Sequence, residues 1–263
     1  MKKIGFIGAG NMGSALAGAA IRSGAEVYVY DKDEDKAIAL AEKIGAGFKK
    51  NTEIAKTCDY VFLAVKPNVI PIAMRELSLS LKSNKDAVIV SMAAGVAIEG
   101  VADPANEYPI IRIMPNTPAS VGAGLILWCR NALVSDSAIS AFLEVMTPAG
   151  SLMEIEENKI DAASAISGCG PAFAYMFIEA LADGGVECGL PRDAAQKLAA
   201  ETLLGASKMV LESGKHPGEL KDAVCSPGGS TIEGVHALEE GAFRATVSDA
   251  VIAAYEKTLD LGK

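Results

Sequence analysis

Short apolar runs alternate with periodic stretches through the first half of the chain. The continuously apolar, β-branched runs predict strands of a parallel sheet buried on both faces, and the stretches between them predict the covering helices. The predicted strands are Lys3–Ile7, Val27–Tyr30, Tyr60–Val65, Ala87–Ser91, Ile110–Met114 and Gly124–Cys129. The predicted helices are Ser14–Ser23, Glu34–Ile44, Thr52–Thr57, Asn68–Leu81 and Ala97–Ala102. This alternation is typical of a doubly wound α/β fold.

The second half of the chain has a different pattern, because the strand signals stop after about Ser151. The predicted helices are Asn158–Ser167, Pro171–Cys188, Pro191–Ser213 and Gly241–Leu261. In the last of these the apolar residues form one stripe, whereas in Pro171–Cys188 they occupy nearly the whole circumference. A helix that is apolar all round must be surrounded, and this half is too small to do so alone. We therefore expect a second subunit to cover it.

Composition and charge exclude several classes of protein. Half of the 263 residues are apolar and 22% are charged, which excludes a disordered chain. The net charge is −9 without a basic run, so we expect no binding to nucleic acid or to a membrane. The five cysteines are scattered without a CxxC pair, and there are only two histidines. This pattern predicts a cytoplasmic protein without a metal site.

The segment Gly8-Ala9-Gly10-Asn11-Met12-Gly13 follows the first predicted strand and opens a predicted helix. In that context a GxGxxG pattern predicts a site for a dinucleotide. Gly8 permits a tight turn, Gly10 lets the backbone approach a pyrophosphate, and Gly13 lets helix and strand pack closely. The positive end of the helix then faces the phosphates. The alternative is a glycine-rich turn that binds nothing.

Asp31 ends the second predicted strand, where a doubly wound fold reads the adenosine ribose. A carboxylate there accepts hydrogen bonds from the 2′-OH of NAD and repels the 2′-phosphate of NADP, so Asp31 indicates NADH. The alternative is that Asp31 caps the following helix, with Glu34 completing a capping box.

Three further loops follow predicted strands and should line the same crevice. They are Ala64-Val65-Lys66-Pro67, Ala93-Ala94-Gly95 and Met114-Pro115-Asn116-Thr117-Pro118. Lys66 either contacts a cofactor or is a solvated lysine, and the residues alone do not decide. Asn116 can donate and accept hydrogen bonds in a loop that its neighbouring prolines stiffen.

The helical half contains a polar turn, Ser226-Pro227-Gly228-Gly229-Ser230-Thr231, that leads into a helix. Its adjacent glycines expose successive backbone N–H groups, which suits a carboxylate. The alternative is an ordinary turn in which Ser230 and Glu233 form a capping box. A second glycine motif, Ser167-Gly168-Cys169-Gly170-Pro171, starts the apolar helix and suits either helix packing or access of a substrate.

Together the motifs resemble one family, the pyrroline-5-carboxylate reductases, over essentially the whole length. The resemblance is carried by IGFIGAGNMG at 4–13, FLAVKP at 62–67, AAG at 93–95, IRIMPNTPA at 111–119, SGCGPAFAYMFIEALADGGVECGLPR at 167–192 and HPGELKDAVCSPGGSTIEGV at 216–235. The combination of MPNTP with KDxVxSPGGxT is specific to that family. One departure is Cys169, which stands where the family usually has serine.

The resemblance implies a fold class, an activity and an assembly. The fold is an α/β Rossmann-type N-terminal domain over residues 1–157, followed by an all-α dimerisation domain over 158–263. The activity is reduction of Δ1-pyrroline-5-carboxylate to L-proline by hydride transfer from NADPH or NADH, the last step of proline biosynthesis. The assembly is a homodimer, in many relatives a pentamer of dimers (a homodecamer), with active sites at the subunit interface.

The resemblance also implies roles for single residues. Ser230, Thr231 and Gly229 are expected to bind the substrate, with the catalytic hydroxyl of Thr231 near the imine nitrogen. The residues expected to contact the cofactor, including Asp31 from the argument above, are Gly8, Ala9, Gly10, Asn11, Met12, Gly13, Asp31, Asn51, Val65, Lys66, Pro67 and Ala94. Many relatives favour NADPH, against the indication from Asp31, so the choice of cofactor stays open.

Other functions fit parts of the sequence. The β-hydroxyacid dehydrogenases are similar in the first half, but they need a lysine on the first long helix of the second domain, and Pro171–Cys188 has none. Another imine reductase, acting on a related cyclic imine, would share the motifs. A nonenzymatic NAD(P) sensor would keep the glycine motif and lose the substrate site, which the intact SPGGST turn argues against.

Overall fold

The computed structural model describes residues 1–102 and 108–261, and its amino-terminal part is built on an eight-stranded sheet. The strands are β1 Lys3–Ile7, β2 Glu26–Tyr30, β3 Gly47–Phe48, β4 Tyr60–Leu63, β5 Val88–Ser91, β6 Ile110–Met114, β7 Gly124–Arg130 and β8 Gly150–Glu154. Their order is β3-β2-β1-β4-β5-β6-β7-β8, and every pairing is parallel except that of β6 with β7. The strand order reverses between β1 and β4, which confirms the doubly wound fold.

The α-helices of the described residues cover the sheet and make up most of the second half. They are α1 Asn11–Arg22, α2 Glu34–Ile44, α3 Asn51–Thr57, α4 Ile70–Lys82, α5 Ile98–Ala102, α6 Asp136–Met146, α7 Ile160–Ser167, α8 Gly170–Glu187, α9 Arg192–Ser213, α10 Pro217–Val224, α11 Ser230–Glu240 and α12 Phe243–Leu261. Every strand and helix predicted from the pattern is present, with ends that differ by at most three residues.

Two strands and one α-helix of the first half were not predicted, and one of these strands, β8, spans Ser151, near which the strand signals stop. The strand β3 has two residues, too few to give a period. The edge strand β8 includes Ser151 and Glu154, so it lacks a continuous apolar run. Helix α6 did carry a signal, because the Ser135 hydroxyl caps its start and its buried residues recur at helical spacing. These buried residues are Ile139, Phe142, Val145 and Met146.

The sheet is buried on both faces, as the apolar runs predict. Alternate residues of β4 point to opposite sides, so that Tyr60 and Phe62 join one core while Val61 and Leu63 join the other. The first core includes α1 and α6, and the second includes residues of α3, α4, α5 and α7. The rings of Phe6 and Phe62 stack at 4.4 Å in the first core. Burial on both faces fixes the strand ends firmly, and the candidate site lies at those ends.

The chain divides into two compact units, Met1–Cys169 with the stretch from Ala254 onward, and Gly170–Ala253. The buried core of the second unit consists of Ala182, Ala195 and Ala199, with Ile178 and Val186 packed against it. Many large apolar side chains of this unit are exposed. They are Tyr175, Met176, Leu181, Leu190, Leu198, Leu204, Met209, Val210, Leu211, Val224, Ile232, Leu238, Phe243, Val247 and Ile252.

One helical stretch of the described chain, Glu157–Glu187, is long and apolar enough to cross a membrane by length and composition alone. It includes α8, the helix predicted to be apolar all round. Only 17% of its most apolar window is buried in the single chain. In the single chain, α8 is therefore largely uncovered.

The cap of α2 gives a test of the fold. The Asp33 carboxylate accepts a hydrogen bond from the Lys36 N–H at 3.2 Å, whereas Asp35 lies in the first turn without a capping bond. Asp33→Ala should lower the free energy of unfolding by about 1 kcal/mol, as other N-cap deletions do. Asp35→Ala is the control and should cost less than half of that in the same denaturant titration. Equal losses would show that Asp33 acts only through its charge.

Candidate active site

A cleft of about 680 Å³ lies at the carboxyl ends of the strands, where the strand order reverses between β1 and β4. Ligands of doubly wound folds bind at this point, because the loops on either side of it diverge. Half of the residues expected to contact a cofactor line the cleft. These are Gly8, Gly10, Asp31, Asn51, Val65 and Lys66.

Two glycines of the first loop have the packing roles that the motif predicts. Gly8 has a φ of +114°, and a Cβ there would lie 2.3 Å from the carbonyl oxygen of Ala64. A Cβ on Gly13 would lie 2.3 Å from the carbonyl oxygen of Gly8 and 2.9 Å from the Cβ of Ala64. Both glycines are therefore required by the protein's own packing. Gly10 differs, since a Cβ there would meet nothing within 4 Å.

The space at Gly10 fits a bound phosphate. Gly10 is the N-cap of α1, which has no side-chain cap and no acidic residue in its first turn. The N–H groups at this end of the helix therefore meet neither a capping oxygen nor a negative charge, although the helix dipole favours an anion there. The packing of the fold does not require a glycine at position 10, and the start of α1 beside it has no side-chain cap. Both features fit the binding of a dinucleotide pyrophosphate.

Asp31 fixes the glycine loop. Its Oδ2 accepts a hydrogen bond from the Ala9 N–H at 2.7 Å, and its Oδ1 accepts one from the Asp33 N–H at 3.1 Å. The alternative that Asp31 caps α2 is wrong, because Asp33 holds that position. An ionised carboxylate has about four acceptor sites, so two remain for ribose hydroxyls. Asp31 is thus placed both to hold the loop and to contact a ribose.

Other expected cofactor residues lie beside the cleft but do not form its lining. Asn11, Met12 and Gly13 form the first turn of α1, and Ala9 is the buried donor to Asp31. Pro67 begins a short 3-10 helix after Lys66. Ala94 lies in the loop between β5 and α5.

The cleft also has lining residues that no motif signalled. Glu76 of α4 accepts a hydrogen bond from the Asn51 side-chain amide at 2.9 Å, which orients that amide. Lys32 and Lys36 add two cations beside Asp31. In sequence, Glu76 belongs to an ordinary amphipathic helix and the lysines to a mixed-charge run, so only the fold reveals them.

The loop after β6 is held by Asn116, which is buried and uses both ends of its amide. Its Nδ2 donates to the Ser167 carbonyl at 2.9 Å, and its Oδ1 accepts from the Leu125 N–H at 2.8 Å. Asn116 therefore joins the carboxyl end of β6 to the end of α7. It acts as a structural residue that keeps the MPNTP loop in place at the carboxyl ends of the strands.

The expected substrate residues lie in the second unit, at the start of α11. The N-cap is Gly229 rather than Ser230, so the predicted capping box of Ser230 with Glu233 is wrong. Gly228 has a φ of +67°, and the Gly229 N–H closes the turn on the Ser226 carbonyl at 3.0 Å. In the parts of the chain that the structure describes, the hydroxyls of Ser230 and Thr231 have no hydrogen-bond partner. They are therefore available to a ligand.

The described side chains offer no cluster of metal ligands, and the two buried thiols are not activated. No group of three or more potential metal ligands is found among them. Burial raises the pKa of Cys58 and of Cys129 to about 11, so both thiols stay protonated at neutral pH. His216 caps α10 by accepting from the Gly218 N–H, and His236 forms an exposed pair with Glu240 at 3.4 Å. Neither histidine lies in the cleft.

Comparison with known proteins decides the family. Residues 157–261 match the family model described as pyrroline-5-carboxylate reductase dimerisation. The pyrroline-5-carboxylate reductase of Escherichia coli K12 is 44% identical over 100% of this chain and 99% of its own length. The chain belongs to the pyrroline-5-carboxylate reductase family.

Other reductases and a solved structure agree with this assignment. The Arabidopsis thaliana pyrroline-5-carboxylate reductase is 41% identical over 99% of this chain and 96% of its own length. The Plasmodium falciparum pyrroline carboxylate reductase, solved with NADP bound, is 34% identical and superposes with a TM-score of 0.89 over 100% of this chain and 98% of its own. Residues 3–95 match the model described as NADP oxidoreductase coenzyme F420-dependent.

The two kinds of glycine in the loop can be separated by experiment. Gly13→Ala places a Cβ against backbone and should lower the unfolding midpoint by several degrees, as overpacking of about 1–3 kcal/mol does. Gly10→Ala enters open space and should keep the midpoint within about 2 °C, while binding of NADH or NADPH falls at least tenfold. Thermal unfolding and equilibrium titration measure the two effects. A Gly10 variant that binds normally would contradict the phosphate site.

Proposed function

We propose that this protein reduces Δ1-pyrroline-5-carboxylate to L-proline with NADPH or NADH, the last step of proline biosynthesis. The observation that carries the proposal is the 44% identity to a reductase of this name over the whole chain. The geometry supports it in the cofactor cleft, through the open space at Gly10, and in the turn before α11, through the unpaired hydroxyls of Ser230 and Thr231. We assign cofactor binding to residues 1–157 and substrate binding and dimerisation to residues 158–263.

The residues of the cleft bind and orient the cofactor. The start of α1 receives the pyrophosphate, Asp31 and Asn51 receive the adenosine ribose, and Val65 with Lys66 flanks the path across the sheet. When bound, the reduced nicotinamide supplies a hydride to C5 of the substrate ring. The task of the protein is to hold ring and nicotinamide at near-attack distance.

The turn at residues 226–231 binds the substrate. The N–H groups around Gly229 suit the substrate carboxylate, and the hydroxyls of Ser230 and Thr231 are available for its remaining polar atoms. The Thr231 hydroxyl holds the imine nitrogen. A protonated cyclic imine is already a good electrophile near neutral pH, so no strong acid is needed. This agrees with a cleft that contains neither histidine.

A coupled assay tests the function. Purified protein should oxidise NADPH or NADH in the presence of pyrroline-5-carboxylate, with L-proline formed in equal amount, as followed at 340 nm and by amino-acid analysis. Related cyclic imines and 3-hydroxy acids serve as competing substrates. Folded protein that makes no proline with either cofactor contradicts the proposal, and turnover of a 3-hydroxy acid instead would favour the dehydrogenase alternative. Cofactor binding without any turnover would favour a sensor.

The active assembly is proposed to be a homodimer, with five such dimers in a decamer, in the cytoplasm. The support is the large number of apolar side chains that the second unit exposes, since contiguous exposed apolar patches mark interfaces. We infer that a second copy rather than lipid covers α8, because this helix carries Glu179, Asp183 and Glu187. Asp183 forms an ion pair with Arg192 at 2.5 Å. The five free cysteines fit a reducing compartment.

Mixed dimers test whether two chains share each active site. At a cofactor concentration well below the raised KM, a subunit with Gly10→Ala should lose most of its activity, and so should one with Thr231→Ala. If each site combines the cleft of one chain with the turn of the other, co-expression restores one working site per dimer. If each site lies within one chain, co-expression restores none. Sedimentation that finds an active monomer would contradict the dimer itself.

Substitution of Asp31 tests its part in the choice of cofactor. Asp31→Ser removes a negative charge beside the 2′-position and should raise the ratio of kcat/KM for NADPH to that for NADH roughly 5–30-fold, or about 1–2 kcal/mol. Asp31→Asn is the matched variant, since its side-chain oxygen can still accept from the Ala9 N–H. It should shift the ratio in the same direction with less loss of stability. An unchanged ratio in both variants would mean that Asp31 only holds the loop.

A further inference from the structure

The loop between β5 and α5 is held by a carboxylate from far along the chain. It runs over residues 92–97 and includes Ala94, one of the residues expected to contact the cofactor. The N–H of Ile98, the first residue of α5, donates to Glu157 Oε1 at 2.6 Å across 59 residues of sequence. Since α5 has only five residues, this bond fixes the end of the loop more than it stabilises a helix.

Glu157 is in turn held by a buried cation. Its Oε1 lies 3.6 Å from Arg112 Nη1, and Arg112 Nη2 lies 2.6 Å from Asp161 Oδ1. The Arg112 side chain is 2% exposed, so its charge requires anionic partners. The Glu157 carboxylate is therefore attached to the sheet, although about a third of its side chain is open to solvent.

Contacts at both of its ends hold the loop between β5 and α5. Arg112 on β6 lies in register with Ser91, the last residue of β5, where the loop leaves the sheet. At the start of the loop the Ala93 N–H donates to Ser91 Oγ at 3.5 Å. Within it Gly95 has a φ of +71°, and the Val96 N–H returns to the Ala93 carbonyl at 3.3 Å. The first end of the loop is thus fixed by β5 and the second by Glu157.

We propose that Glu157 is a positioning residue for the nicotinamide half of the cofactor. In doubly wound folds the strands on either side of the switch point form two halves, each of which binds one nucleotide. Asp31 and Asn51 follow strands of the adenosine half, whereas Ala94 follows β5 in the other half. Glu157 sets the place of Ala94 through Ile98 and does not itself touch the cofactor. The inference rests on the proposed function only in requiring a bound dinucleotide.

Direct binding to the full-length protein, without substrate, tests the proposal. Glu157→Ala should weaken NADH binding roughly 5–20-fold, as expected for loss of a hydrogen bond to a charged group. Binding of ADP, which reaches only the adenosine half, should change by less than about twofold. Glu157→Gln keeps an oxygen for the Ile98 N–H and should stay close to wild type. The matched control is Glu156→Ala, since within the described residues the Glu156 carboxylate pairs with Lys159 alone, at 3.0 Å on the surface.

A second variant guards against misfolding. Glu157→Asp keeps the charge beside Arg112 but withdraws the oxygen from Ile98, so it should show the same selective loss of NADH binding with an unfolding midpoint lowered by no more than about 4 °C. In turnover, either deleterious variant should raise KM for the reduced cofactor while KM for the pyrroline stays unchanged. Equal weakening of NADH and ADP, normal NADH binding, or a Gln variant as weak as Ala would each overturn the proposal. Failure of the proposed function is distinct, because it appears as absent proline formation.

Discussion

The candidate site depends on how closely three backbones meet at the end of β1. The carbonyl of Ala64, the turn at Gly8 and the first turn of α1 at Gly13 approach so nearly that a single methyl group on either glycine would lie 2.3 Å from a carbonyl oxygen. This contact sets the angle at which α1 leaves the sheet. It thereby points the uncapped, positive end of that helix into the cleft. The binding of an anion is thus a consequence of backbone packing before any side chain is considered.

Asp31 makes the loop and the ribose position interdependent. Its carboxylate accepts from the Ala9 N–H and from the Asp33 N–H, so it joins the glycine loop to the end of β2. In the proposed binding mode, the same negative charge faces the 2′-phosphate that distinguishes NADP from NAD. Lys32 and Lys36 line the same cleft and oppose that charge. In this arrangement, the preference for NADH or NADPH depends on the balance between the Asp31 carboxylate and the two lysines. The same carboxylate also holds the glycine loop.

The sequence predicted those features that arise from local rules. Buried parallel strands appear as continuous apolar runs, and the glycine roles follow from the turn that the motif requires, so β1, α1 and the open space at Gly10 were predictable. The edge strand β8 was not, because its partner β7 comes from elsewhere in the chain and its residues are half polar. Glu76 and Glu157 were not either. Each acts through a single hydrogen bond to a residue at least 25 positions away, and no spacing in the sequence signals such a contact.

The second unit was less predictable for a different reason, because its own residues bury only a small apolar core. Its core is formed of three alanines, which bury far too little apolar area to hold four or five helices together. The side chains that ought to supply the rest, such as Met176, Leu204 and Leu211, are exposed in the single chain. The stability of this unit is therefore expected to depend on its assembly with another chain. In the proposed homodimer, the helix that carries the turn with Ser230 and Thr231 gains its support from a second copy, which would make association a condition for a rigid substrate site.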